Sequence, residues 1–204
     1  MWLRCMLALL MVSSSALADT SISDRFSGVQ RIVAPNGSVL SESRVFVDGG
    51  RLRLEISQRE GSGAPVQILL VERETGEVHL VSNERRDAMR LDPSRPIHFL
   101  SPDFLMVVPL FEEKFEGQRI VRSWIREEQV SNQTCDVLEV TLTPGMGALV
   151  FVNQKTRLPV RVEFGPRPGG PRAEWTDVAA GPQRPELFVV PADFKIRIPP
   201  EAGR

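Results

Sequence analysis

Apolar and polar residues alternate along much of the chain. The alternation is strict or nearly so in residues 51–57, 136–142 and 158–164. A period of two residues is typical of strands that bury one face and expose the other, as in antiparallel sheets. More uniformly apolar runs at 66–71 and 148–152 predict strands that are buried on both faces.

Turn signals separate these runs. The strongest lies in residues 35–38, where Asn36-Gly37 accepts positive φ at both turn positions and predicts a hairpin. Weaker signals of the same kind lie at 48–50, 74–77 and 153–156. We therefore expect strands joined by short turns over most of the chain.

One segment breaks the strand pattern. Ser101, Pro102 and Asp103 form a good helix start, with a capping hydroxyl, Pro at the first position and an acid in the first turn. Pro109 should end or kink the helix. The apolar residues that follow the start at helical spacing are Phe104, Leu105, Val108, Phe111 and Phe115. The spacing predicts one or two short helices within residues 101–115.

These elements predict a mainly β protein with one curved antiparallel sheet. We expect about ten strands and a short helical insert after the sixth. A sheet of this size curls or splits, and the insert is the helical candidate to cover its concave apolar face. The face can be plain core or can line an apolar cavity. The residues expected to point inward are Leu52, Leu54, Leu138, Val140, Leu142, Val160, Val162 and Phe164.

The first 18 residues have the order of a cleavable export signal. Arg4 is followed by an apolar run at 5–12, and Ala16 and Ala18 supply the small residues of a cleavage site. The alternative is a piece of buried helix. The run is shorter than the roughly 20 residues that span a bilayer, so we expect no transmembrane segment. We expect residues 19–204 to form one exported domain.

Charge excludes one class of partner. The net charge is −1, with 25 basic and 26 acidic residues, so the chain lacks the basic surface that nucleic-acid binding needs. An apolar content of 42% is enough for a real core.

Residues with catalytic chemistry are sparse. Cys135, the one Cys beyond the signal, is either buried or paired with another chain, and burial is favoured in a strand-like run. His79 and His98 are isolated, so metal ligation is not indicated. No nucleophile elbow or phosphate loop occurs. We expect neither an enzyme nor a cofactor.

Four blocks of sequence resemble the LolA/LolB-like superfamily of bacterial periplasmic proteins. They are a Phe-Ser-Gly followed by an alternating strand pair, an apolar hairpin, an aromatic strand that turns into Thr-Arg-Leu-Pro, and a Phe-rich ending. The blocks lie at residues 26–28 with 45–55, 70–81, 148–163 and 187–194. The insert is shorter than that of the lipoprotein carrier, and it contains Pro109.

The resemblance implies a half-barrel closed by helices over an apolar cavity, located in the periplasm. Carriers of this superfamily hold lipoprotein acyl chains, and related domains of envelope-stress regulators bind a partner protein and respond to lipid. We therefore expect a non-enzymatic periplasmic binding protein for a lipid or lipoprotein acyl chain. The alternative is an envelope protein-interaction or regulatory domain. The candidate residues for apolar ligand binding are Phe104, Leu105, Val108, Phe111, Leu138, Val140, Val160 and Val162.

Overall fold

A computed structural model describes residues 19–57, 67–91, 102–115, 117–165 and 170–198. The fold is mainly β, as predicted, with one α-helix among the described residues. The strands are β1 Arg25–Val33, β2 Val39–Asp48, β3 Arg51–Ser57, β4 Gln67–Glu72, β5 Glu77–Ser82, β6 Asp87–Leu91, β7 Lys114–Phe115, β8 Gln118–Arg119, β9 Val121–Val130, β10 Gln133–Thr143, β11 Met146–Asn153, β12 Pro159–Phe164, β13 Arg172–Ala180 and β14 Lys195–Arg197. The helix α1 spans Pro102–Phe111, and a short 3-10 helix spans Pro185–Phe188.

Twelve of the strands form one sheet in the order β14-β6-β5-β4-β3-β2-β1-β13-β12-β11-β10-β9, and β7 and β8 form a separate small hairpin. All neighbours in the large sheet are antiparallel except β14 and β6. The sheet is open, because β14 and β9 lie at its two ends. Strand β1 pairs with both β2 and β13, so the chain returns late in its course to complete the middle of the sheet.

The sheet curves around α1. The helix contacts β2 and β3 on one side and β11 and β12 on the other. In a flat sheet, β3 and β11 would lie about 24 Å apart at the usual strand spacing, more than twice the diameter of a helix. The strands must therefore curl into a trough with α1 inside, which confirms the predicted helical insert over the concave face.

Two local predictions need correction. The Asn36-Gly37 hairpin forms, but Gly37 alone takes a positive φ, at +86°, because Pro35 and Asn36 occupy a type I turn that Gly37 follows. The helix continues two residues past Pro109 and ends at Phe111, and Phe115 belongs to β7 instead. The expected capping residue Ser101 lies outside the described residues, as does His98.

Apolar side chains form separate clusters on the two faces of the sheet. The inner cluster fills the trough and includes Leu52, Leu54, Leu138, Val140, Leu142 and Val162, with Phe164 packed against it. The outer cluster comprises Val130, Cys135, Val137, Phe151 and Val160. Neighbouring residues such as Val137 and Leu138 belong to different clusters, as alternation along a strand requires.

The predicted inward position of Val160 is wrong. Phe151 pairs with Arg161 and the next residue, Val152, pairs with Pro159, so Val160 is the extra residue of a β-bulge. A bulge shifts the phase of the alternation by one residue. Val160 therefore packs with Phe151 in the outer cluster, while Val162 faces inward.

The chain after β13 crosses the outer face of the sheet as a strap, residues 181–198. Val190 and Phe194 of the strap cover a third apolar cluster formed by Ile68, Leu70, Val81 and Ala88. A guanidinium nitrogen of Arg53 donates to the Leu187 carbonyl at 2.9 Å. The strap then adds β14 parallel to β6, an arrangement that the sequence pattern did not predict.

Candidate functional site

The trough and the helix within it form the candidate site. Helix α1 is apolar on nearly every side, and its residues are buried except Pro102 and Leu105. A helix lying on a flat sheet leaves one face exposed. Here the curled sheet contacts α1 on two sides, so the helix fills the concave face that the sequence left open as plain core or as the lining of an apolar cavity.

Six of the eight sequence-predicted candidates meet in the trough. Phe104, Val108 and Phe111 of α1 lie in the inner cluster, as do Leu138, Val140 and Val162 of the sheet. Leu105 is partly buried and packs against the same cluster. Val160 lies on the other face and borders a cavity of about 420 Å³ there. The structure thus brings the helix and sheet candidates together as one packed core.

The N-terminal end of α1 is held by polar side chains of the sheet. The carboxylate of Asp103 accepts hydrogen bonds from the hydroxyl groups of Ser41, at 2.9 Å, and of Ser43. Gln30 Nε2 donates to the Asp103 carbonyl at 3.0 Å. Gln30, Ser43 and Asp103 are buried, so these contacts lie out of water. A hydrogen bond to a charged acceptor stabilises more than one between neutral groups, and the Asp103 pairs fix the start of the helix.

The C-terminal end of α1 is held by two arginines. The Arg122 side chain donates to the Pro109 carbonyl at 3.1 and 3.0 Å and to the Glu112 carbonyl at 2.9 Å. Arg73 donates to the Phe111 carbonyl at 3.0 Å, and its guanidinium lies 5.6 Å from the centre of the Phe111 ring. These donors satisfy carbonyls that a helix leaves unpaired at its end.

A carboxyl group with a shifted pKa follows the helix. Burial raises the pKa of Glu112 to about 7, an effect that Arg73 opposes and the negative charge of Glu113 adds to. Glu112 therefore titrates near neutral pH, at the point where α1 leaves the trough.

Sequence reasoning missed the polar anchors, although a signal was present. Phe26 and Ile32 of β1 point into the trough, so the alternation places Gln30 on the same face. In β2, Val45 and Val47 point into the trough, so the alternation places Ser43 on that face as well. A polar residue at an inward position of a strand is the sign of a buried polar contact.

The outer face of the sheet carries a shallow groove of about 550 Å³. Its floor contains Leu149 and Phe151, and the Arg161 guanidinium lies 5.5 Å from the centre of the Phe151 ring. The charged residues that line the groove are Arg126, Glu128, Glu139, Glu163 and Arg172. Because positive and negative side chains both line the groove, it does not favour a ligand of one charge over a ligand of the other.

The edge strand β9 exposes apolar side chains beside this groove. Val121, Trp124 and Ile125 are 54%, 41% and 38% exposed. Among the described strands β9 pairs with β10 alone, so no described strand covers its other edge. An exposed apolar edge strand is a template for pairing with another chain.

Catalytic chemistry finds little support in the described part of the chain. Cys135 is fully buried, which confirms the preferred interpretation, and burial raises the pKa of its thiol. Burial lowers the pKa of His79, which lies in β5. No group of three or more metal-binding side chains occurs within the described residues. No helix in the same residues is long and apolar enough to cross a membrane.

Comparisons with known proteins find structural similarity only. No protein-family model matches the sequence. No curated protein matches it either. A solved structure of an uncharacterized conserved protein from Thermus thermophilus aligns with a TM-score of 0.53 and 10% identity, over 86% of this chain and 91% of that chain.

Two further solved structures align with lower scores. A LolA superfamily protein from Nitrosomonas europaea aligns with a TM-score of 0.40 and 16% identity, over 82% of this chain and 90% of that chain. The MucA/MucB complex of Pseudomonas aeruginosa aligns with a TM-score of 0.46 and 16% identity, over 85% of this chain and 58% of that chain. The alignment with the Thermus thermophilus protein shows that the two chains share a fold, which here is an open curved antiparallel sheet with a helix in its trough.

Proposed function

We propose that the protein is a non-enzymatic binding protein of the periplasm that takes an apolar ligand, a lipid or a lipoprotein acyl chain, into its trough. The observation that supports this is the character of α1. The helix is apolar along its length, and its described polar contacts with the sheet lie at its two ends. A helix held in this way can move from the trough by releasing a few contacts, whereas its middle offers only apolar packing.

The free energy gained by burying an acyl chain in the trough is comparable to the free energy lost by exposing the side chains of α1. Burial of an acyl chain stabilises by about 0.8 kcal/mol per CH₂, so ten buried CH₂ groups contribute about 8 kcal/mol. Each buried apolar side chain of α1 contributes about 1.5–3 kcal/mol. Full exposure of α1 would cancel the gain from the ligand. We therefore expect α1 to shift and pack on the bound chain rather than to enter water.

Asp103→Asn tests this function. The substitution weakens the contacts with Ser41 and Ser43, so the population with α1 displaced should grow and apparent ligand affinity should rise by roughly fivefold or more. The measurement is displacement of a bound apolar fluorophore by lysophospholipid, with Asp24→Asn at an exposed position as the control. Native mass spectrometry of the wild type, purified without detergent, should show co-purified lipid. A protein that is empty and binds no fluorophore in any variant would contradict the proposal.

The exposed edge of β9 supports a second candidate, an envelope protein-interaction or regulatory domain. A segment of a partner could add to β9 as a further strand, with main-chain hydrogen bonds and with apolar contacts to Trp124 and Ile125. A photo-crosslinking residue at position 125 should then yield one defined adduct in the intact envelope. The same residue at Leu40, which is 60% exposed on β2, is the control. An empty trough together with an adduct at position 125 alone would favour this candidate over the first.

A further inference from the structure

Three polar side chains form a row across the trough. Trp175 on β13 is directly opposite Gln30 on β1, and Gln30 is directly opposite Ser43 on β2. Gln30 and Ser43 are 0% and 1% exposed, and Trp175 is 6% exposed. Residues of the inner cluster surround this polar row, among them Phe26, Ile32 and Val45. The row therefore lies within a mostly apolar face.

Trp175 packs closely against β1. A Cβ at Gly28 would lie at an ordinary van der Waals distance of 3.4 Å from Trp175 Cε3 and at 3.1 Å from Val178 Cγ2. The Phe26 ring meets the indole edge-on at 5.7 Å between centres. The indole is held beside Gln30 by close packing.

Two polar atoms of the row have no hydrogen-bond partner within the described part of the chain. They are the acceptor Gln30 Oε1 and the donor Trp175 Nε1, both buried. The other groups of the row, Gln30 Nε2 and the Ser43 hydroxyl, donate to Asp103 of α1. Buried polar groups without partners destabilise a fold, and such groups in native proteins call for a physical explanation. An acceptor and a donor on neighbouring strands can both be satisfied by one small group.

We infer that the polar row is the head-group subsite of the trough and selects a neutral head group, a hydroxyl or an amide, attached to an acyl chain. This inference rests on the proposed function. A ligand hydroxyl would accept a hydrogen bond from the Trp175 indole N–H and donate to Gln30 Oε1.

The polar row disfavours an ionised head group. Gln30, Ser43 and Trp175 offer hydrogen bonds but no opposite charge, and the Asp103 carboxylate that accepts from Ser43 would repel a ligand carboxylate. A buried carboxylate without a cation costs far more free energy than a buried hydroxyl that is hydrogen-bonded. The subsite should therefore prefer a monoacylglycerol to the fatty acid with the same chain.

The experiment compares 1-monolauroylglycerol with laurate at pH 8, below the concentrations at which either aggregates. We expect monolauroylglycerol to bind about tenfold more tightly, the factor that one satisfied hydrogen-bond pair supplies. In ¹H–¹⁵N spectra, it should also shift the Trp175 indole resonance, which is assigned as the signal lost in Trp175→Phe.

Gln30→Met keeps the volume of the side chain and removes both polar groups. The substitution should reduce the preference for monolauroylglycerol over laurate from about tenfold to within about threefold, while the apolar fluorophore still binds. Gln118→Met, at an exposed position on β8, should leave the preference unchanged. If Gln30→Met does not fold, Trp175→Phe takes its place in the binding comparison.

The outcomes separate the two proposals. Equal affinity for the two lipids, or an unmoved Trp175 resonance on saturation, would overturn the head-group subsite and leave the apolar ligand site standing. Failure of both lipids and of the fluorophore to bind would overturn the proposed function and the subsite with it.

Discussion

At the scale of single residues, polar groups at inward positions decide how α1 is held. Asp103 illustrates this. In the sequence it served only as part of the signal for a helix start. In the structure its carboxylate accepts hydrogen bonds from Ser41 and Ser43, about sixty residues away along the chain. The acid thus acts as a tertiary anchor.

Asp103→Ala should lower the free energy of unfolding by about 3 kcal/mol, because it removes two hydrogen bonds to a charged acceptor and leaves the Ser43 hydroxyl buried without a partner. Denaturant unfolding followed by circular dichroism measures the change. Asp24→Ala, at an exposed position, should change stability by less than about 0.5 kcal/mol. Equal losses for the two variants would show that Asp103 does not anchor α1.

Glu112 should make stability depend on pH. Its folded pKa of about 7 lies above its ordinary value, so between about pH 4.5 and 7 the folded state binds more protons than the unfolded state. The stability associated with the neutral form is present at low pH and is lost as pH rises through 7. Arg73 and Glu113 are the charged groups that also act on it.

The test is Glu112→Gln, which keeps the neutral form at every pH. The variant should be about 1–2 kcal/mol more stable than wild type at pH 8 and nearly equal at pH 5. Subtracting the two curves also removes the contribution of His79, whose lowered pKa acts in the opposite direction. A difference that does not change with pH would refute the buried titration of Glu112.

At the scale of elements, the strap is the part of the fold that local pattern does not determine. Phe188 lies under the Arg51 guanidinium at 4.9 Å, and Phe194 covers the third cluster.

Phe194→Ala should lower the free energy of unfolding by about 2 kcal/mol, less than for a fully buried ring, because the ring is only partly buried. Ile198→Ala, at a side chain that is 77% exposed, is the matched control and should be near neutral. Thermal unfolding compares them, and equal midpoints would show that the strap does not stabilise the sheet.

At the scale of the whole molecule, the described chain begins against the sheet. Arg157 donates to the Asp19 carbonyl at 2.8 Å and to the Ser21 carbonyl at 2.6 Å. Another nitrogen of the same guanidinium pairs with Asp136 at 2.5 Å. The residue that the export signal predicts as the first of the mature protein is thus in contact with the folded domain.

From the sequence of residues 1–18, which lie outside the described residues, we expect the exported protein to begin at Asp19 and to accumulate in the periplasm of a Gram-negative host. N-terminal sequencing of the purified protein, together with fractionation of the cells, measures both. An intact Met1 or an acylated N-terminus would show that residues 1–18 are not a cleaved signal.

The sequence by itself determined the class of the fold and most of its faces. A period of two residues arises within each strand, so Leu52, Leu54, Leu138 and Val140 could be assigned to the inner face without any knowledge of their neighbours. The helix at Pro102–Phe111 within the apolar insert could be recognised for the same reason, since propensity and helical spacing are local properties.

The tertiary structure decided whatever depends on contacts between distant residues. The bulge at Val160 arises from register between β11 and β12, and the pairing of β14 with β6 joins the end of the chain to its first half. The polar row exists only because β13, β1 and β2 are neighbours in the sheet. Periodicity specifies which way a side chain points, whereas strand order and register specify what it meets, and the candidate site depends on both.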